Sequence, residues 1–119
     1  MSKEKKPDSN YKENKKTFSE IELLNKQKKE LSNLDLKEAE FQKIYLVDAV
    51  MKNCDLSRAD LQDASMFGVN LSGSNLFKAN LENANLKNAN LENCNLLGAS
   101  LLNTKLKNVT WGENYKVIN

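Results

Sequence analysis

The sequence predicts an all-β solenoid with a short amphipathic helix at its N-terminal end. Three observations point there. A large apolar residue recurs every five positions from Leu36 to Trp111; alanine stands two positions before it in half of the units; Asn or Asp mostly fills the position between. The clearest stretch, residues 79–98, reads ANLEN-ANLKN-ANLEN-CNLLG.

A five-residue period fits neither common element. On an α-helix it advances about 140° net per repeat, which smears the leucines over every face. On a continuous strand five is odd, so successive leucines alternate sides. The pattern is satisfied when each unit is a short extended piece with the central residue i and residue i−2 facing inward. Positions i+1 and i+2 then form a corner, and repeated corners wind a solenoid.

The elements follow in order. Residues 1–16 are dominated by Lys, Glu, Asn and Ser, a composition that buries too little apolar area to offset chain entropy, so a disordered tail is expected. Residues 17–33 read as an amphipathic capping helix, with its regular part at 19–31. Ser19 and Glu22 have capping-box spacing, Phe18 lies outside as a staple, and Ile21, Leu24 and Leu31 recur at helical intervals. Too short to be stable alone, the helix needs a surface to pack on. The repeat then occupies 34–113 without a slip, and residues 114–119 form a C-terminal cap or tail.

The pattern A-(N/D)-L-x-x resembles the pentapeptide-repeat family over about 80 of the 119 residues. That resemblance implies a right-handed quadrilateral β-helix with four pentads per turn. Sixteen pentads then make four coils and a rod about 20 Å long. Residues twenty apart stack. Ala39, Ala59, Ala79 and Ala99 share an inward column, as do Cys54, Ser74 and Cys94. The two cysteines, about 9–10 Å apart on this spacing, are beyond disulfide reach and read as small core residues.

Among the outward i+1 positions the apolar exceptions are candidate partner contacts: Phe77 and Leu97 on one face, Leu102 on the adjoining one, and Val47 and Phe67 on the opposite one. The alternative is that a chain terminus covers them. The ends need covers too. Ile21, Leu24 and Leu31 are assigned to the top. Trp111 is assigned to plug the bottom, with Tyr115, Val117 and Ile118 completing that cap or meeting a second copy in a homodimer through a β-helix end.

Chemistry is sparse. The chain has no His and no nucleophile–base pair, phosphate loop or metal cluster, so no enzyme activity, cofactor or metal is expected. Asp35 with Asp55, and Glu40 with Asp60, share columns, but on open walls rather than in a pocket. Nine lysines oppose six acids in 1–33, and eight basic groups oppose ten acids in 34–113, too balanced to capture nucleic acid. No apolar run approaches a membrane span, and two cysteines without CxxC spacing suit a reducing compartment, so a cytoplasmic protein is expected.

The expected function is a non-enzymatic scaffold for protein–protein interaction, its partner an unnamed protein. The resemblance implies two alternatives: a DNA mimic that binds DNA gyrase, as some longer members do, or a translocated bacterial effector. Mimicry needs a sustained negative surface. Here the acids of the first coils are offset by Lys37, Lys43, Lys52 and Arg58, and about 20 Å spans only about six base pairs.

Overall fold

The computed structural model describes residues 15–112. Each pentad turns a corner and pairs with the pentad twenty residues on. The unit around Leu76 shows how. The Ala79 N–H donates to the Leu76 carbonyl at 3.0 Å, closing a four-residue turn, and φ is +56° at Lys78. A positive φ at only the second central residue defines a type II turn. The same sign recurs at every fifth residue from Asn33 to Asn108.

Between corners the backbone pairs in parallel with its neighbouring coils. The Leu76 and Lys78 N–H groups donate forward to the Asn95 and Leu97 carbonyls at 2.8 and 2.9 Å, and the Asn75 N–H donates back to Cys54 at 2.9 Å. This leaves the N–H of the first corner residue without a backbone acceptor. The i−1 side chain supplies one: Asn75 Oδ1 accepts from the Phe77 N–H at 3.0 Å, and Asn70, Asn80, Asn85, Asn90 and Asn95 act likewise. The Asn preference at i−1 therefore serves the corner, because a backbone N–H left unpaired is costly.

The result is a right-handed four-sided β-helix. The bridge column Asp35–Asp55–Asn75–Asn95 marks the first wall, and Glu40–Asp60–Asn80–Ser100 the second. Tyr45–Ser65–Asn85–Lys105 marks the third, and Val50–Asn70–Asn90–Thr110 the fourth. Inside, centre residues from Leu36 to Leu96 and their i−2 partners form one continuous core, most of it fully excluded from water. Small alanines leave room for the large centres, as dense packing requires.

The N-terminal helix differs from the expected one. Helix α1 covers Phe18–Lys26, not 17–33. Its capping box is Thr17 with Glu20 rather than Ser19 with Glu22: Thr17 Oγ1 accepts from the Glu20 N–H at 3.1 Å, and Glu20 Oε1 from the Thr17 N–H at 2.8 Å. Both pairs have the right spacing, but the earlier box frees Glu22 for another partner. The helix ends in a Schellman motif, with φ of +63° at Lys28 and N–H donation from Lys28 to Asn25 and from Lys29 to Leu24, both 2.9 Å.

Leu31 is consequently not a helical lid residue. It is the centre of an additional pentad: it is buried, its N–H donates to Val50 at 2.7 Å, and Asn33 forms the corner with φ of +63°. The repeat geometry thus begins one unit before Leu36.

Helix α1 substitutes for a missing coil above the third wall. In the coil below, the Ser65 N–H donates to Ile44, and the Phe67 carbonyl accepts from Asp48. The equivalent Tyr45 N–H has no coil above it and donates to Glu22 Oε2 at 3.0 Å. The Val47 carbonyl accepts from Asn25 Nδ2 at 3.2 Å. Two helix side chains therefore quench an open sheet edge. Ile21 is fully buried, Leu24 partly, and Phe18 meets Phe41 edge to face at 6.1 Å. At the other end Leu101, Leu106, Val109 and Trp111 are partly buried against the core. Tyr115 lies outside the described residues.

Candidate interaction surface

The inward polar groups are engaged in holding the coils together. Cys54 Sγ donates to the Leu31 carbonyl at 3.1 Å, Ser74 Oγ to Met51 at 2.8 Å, and Cys94 Sγ to Leu71 at 3.0 Å. Thr104 Oγ1 makes the same contact to Leu81 at 2.7 Å. A small side chain with one donor is what this position can use, which accounts for Cys, Ser and Thr there. Both thiols are free and buried. Burial raises the Cys54 pKa and pushes that of Cys94 up to about 11, the opposite of a reactive thiolate.

The paired carboxylates are likewise occupied. Asp35 Oδ1 lies 3.3 Å from Lys37 Nζ, and Lys15 Nζ is 3.5 Å from Asp35 Oδ2. Asp55 Oδ1 accepts from the Ser57 N–H and hydroxyl at 3.0 and 2.7 Å. Gln42 Nε2 bridges Glu40 and Asp60 at 3.1 and 2.8 Å. Among the described residues no cluster of His, Cys, Asp or Glu could hold a metal ion.

The outward apolar positions divide in two. Leu97, Leu102 and Phe67 are exposed at 52, 62 and 38 %, and nothing in the repeat requires an apolar side chain there. Phe77 and Val47 are half-buried. Arg58 and Lys78 sit 5.2 and 5.4 Å from the centroid of the Phe77 ring, covering part of it. Val47 lines a groove of about 600 Å³ between α1 and the third wall, together with Leu23, Tyr45, Lys26 and Asp48. Leu23 and Tyr45, both more than half exposed, belong to this surface and are not among the residues singled out from the sequence. Leu23 lies on the helix, and Tyr45 occupies an i−1 position where Asn or Asp is the rule. Leu97 and Leu102 are the first corner residues of two successive corners of the last coil, the turns closed by the Ala99 N–H on Leu96 and the Thr104 N–H on Leu101.

Comparison with known proteins places this architecture. The family profile described as pentapeptide repeats matches eight copies, over residues 30–73 and 74–110. A pentapeptide repeat protein, Rfr23, from the cyanobacterium Cyanothece 51142 superposes with a TM-score of 0.72 at 40% identity, covering 73% of this chain and 59% of that one. HetL from Nostoc sp. strain PCC 7120, a pentapeptide repeat protein involved in heterocyst differentiation regulation, aligns at 30% identity with a TM-score of 0.42, covering 68% of this chain and 40% of HetL. The chain therefore spans less than two thirds of either relative. No curated protein matches it. With the period, the corners and the family match in agreement, the chain belongs to the pentapeptide-repeat family.

Proposed function

We propose that this protein is a non-enzymatic scaffold that recognises a partner protein through side chains on its walls. One observation carries the reading. Corner, ladder and core needs explain the inward and i−1 positions, yet Leu97 and Leu102, at successive corners of the last coil, remain more than half exposed. Neighbouring exposed apolar groups mark contact surfaces. Two buried free thiols suit the reducing cytoplasm expected from the sequence.

The test is an affinity capture from the cells that produce the protein, comparing wild type with Leu97→Ser/Leu102→Ser. Loss of a specific protein from the variant supports these two corners as a contact. Recovery of the same proteins by both forms removes these corners from the interface.

A further inference from the structure

The third wall carries a separation of character along its length that the fold does not need. Its upper half presents Tyr45, Val47 and Phe67, and its lower half Lys87, Lys105 and Lys107. Ser65 and Asn85 fill the remaining outward positions, so the wall bears three positive charges and no acid. The corners reinforce this. Lys43, Asp48 and Asp63 flank the apolar half, whereas the lysines are bordered by the uncharged Asn83, Asn103, Asn88 and Asn108.

These lysines crowd one another. Lys87 and Lys107 occupy the same column in adjacent coils, joined through the Asn88 N–H to the Lys107 carbonyl at 2.9 Å, and Lys105 stands beside them on the last coil. Like charges stacked across a sheet oppose folding. None of the three takes part in an ion pair among the described residues. Charge complementarity thus calls for an acidic occupant below and an apolar one above.

Size and spacing narrow the occupant. A wall about 20 Å long and about 10 Å wide offers roughly 200 Å², room for one slender element of a partner rather than for a globular face of roughly 800 Å². An α-helix laid along the wall fits its spacing. One helical turn rises about 5.4 Å against a coil spacing of about 4.8 Å, so three turns stay within about 2 Å of three coils. Successive turns would meet Val47, Phe67, Lys87 and Lys107.

We propose that the third wall docks an amphipathic helix of a partner protein, apolar over its first two turns and acidic over the next two, or the reverse in chain direction. The proposal rests on the scaffold reading and adds the partner's chemistry.

The test uses fluorescence anisotropy at about 50 mM salt, where exposed charges are weakly screened. The probe is a labelled, stapled helical peptide of about four turns, with leucines in one half and glutamates in the other. Its counterpart has lysine for each glutamate. Wild type should bind the glutamate peptide at least about tenfold more tightly than the lysine peptide. Lys87→Glu/Lys105→Glu/Lys107→Glu, all outward substitutions, should reverse that order while retaining the wild-type circular dichroism. Phe67→Ser should weaken the glutamate peptide several-fold, and Leu97→Ser/Leu102→Ser should leave it unchanged. An unchanged preference after charge reversal overturns the proposal. So does binding only to phosphatidylserine vesicles, with no peptide bound. A protein captured from cells equally well by the charge-reversed variant keeps the scaffold reading and overturns this one.

Discussion

Gly68→Ala should destabilise the protein through two separable costs. Gly68 sits at a corner with φ of +71°, directly below Asp48 at the same corner of the previous coil. An alanine there adopts a left-handed conformation, costing about 1–2 kcal/mol. Its Cβ would run into Asp48 Oδ1. Asp48 is exposed and can rotate away, costing about 0.5–1.5 kcal/mol if it leaves its preferred rotamer. Stiffening the unfolded chain returns about 0.4–1 kcal/mol. The net loss is about 0.5–3 kcal/mol. Urea denaturation followed by far-UV circular dichroism measures it, with Asp48→Ala made in both backgrounds. The double-mutant cycle should show a coupling of about 0.5–1.5 kcal/mol, because removing the Asp48 carboxylate removes the clash but not the left-handed strain. A neutral Gly68→Ala, or additive substitutions, would refute the stacked-corner geometry.

Three other outcomes are expected. Lys28→Gly should stabilise the protein by about 0.5–1 kcal/mol in the same assay, because the left-handed end of α1 is then held by a residue that tolerates it. Ala79→Phe, in a column between Ala59 and Ala99 and 1 % exposed, should cost about 3 kcal/mol and lower the Tm by more than about 10 °C. Burial raises the Cys94 pKa from 9.0 to about 11, so the neutral thiol's contribution is whole below pH 9 and lost as pH rises through about 11. The urea midpoint of wild type should fall across that window by the equivalent of about 2–3 kcal/mol more than that of Cys94→Ala.

The scaffold was legible because each pentad spends two of its five residues on the core. Leu36 to Trp111 mark the inward positions without knowledge of the coil. The corner rule was legible too, though only at favourable residues: Asn53, Asn83, Asn88 and Asn93 suit positive φ, whereas Glu38, Lys43, Arg58 and Lys78 adopt it under the constraint of their neighbours. Leu31 reads as helical from its spacing to Ile21 and Leu24, and Lys29 and Glu30 hide the repeat where Ala and Asn would mark it, yet Leu31 and Asn33 lie five residues before Leu36 and Glu38. The choice between two capping boxes was invisible locally. It depends on Glu22 reaching the Tyr45 N–H, a tertiary contact. The exposed apolar positions were half legible. The repeat marks Phe77 as outward, but the cations Arg58 and Lys78 that partly cover it come from a different register position.

Every wall and column described here depends on residues twenty apart lying on top of one another. Disulfide trapping measures that register directly, in a background carrying Cys54→Ser and Cys94→Ser. Ser72 and Glu92 occupy one column, with the Gly73 N–H donating to the Glu92 carbonyl at 2.8 Å. Cysteines at 72 and 92 lie about 4.8 Å apart, inside the range of about 4.4–6.8 Å that a disulfide spans, and should cross-link rapidly under mild oxidation. Cysteines at 72 and 87 fall on different walls and should not. Efficient cross-linking of 72 with 87, or its absence between 72 and 92, would contradict the four-pentad coil.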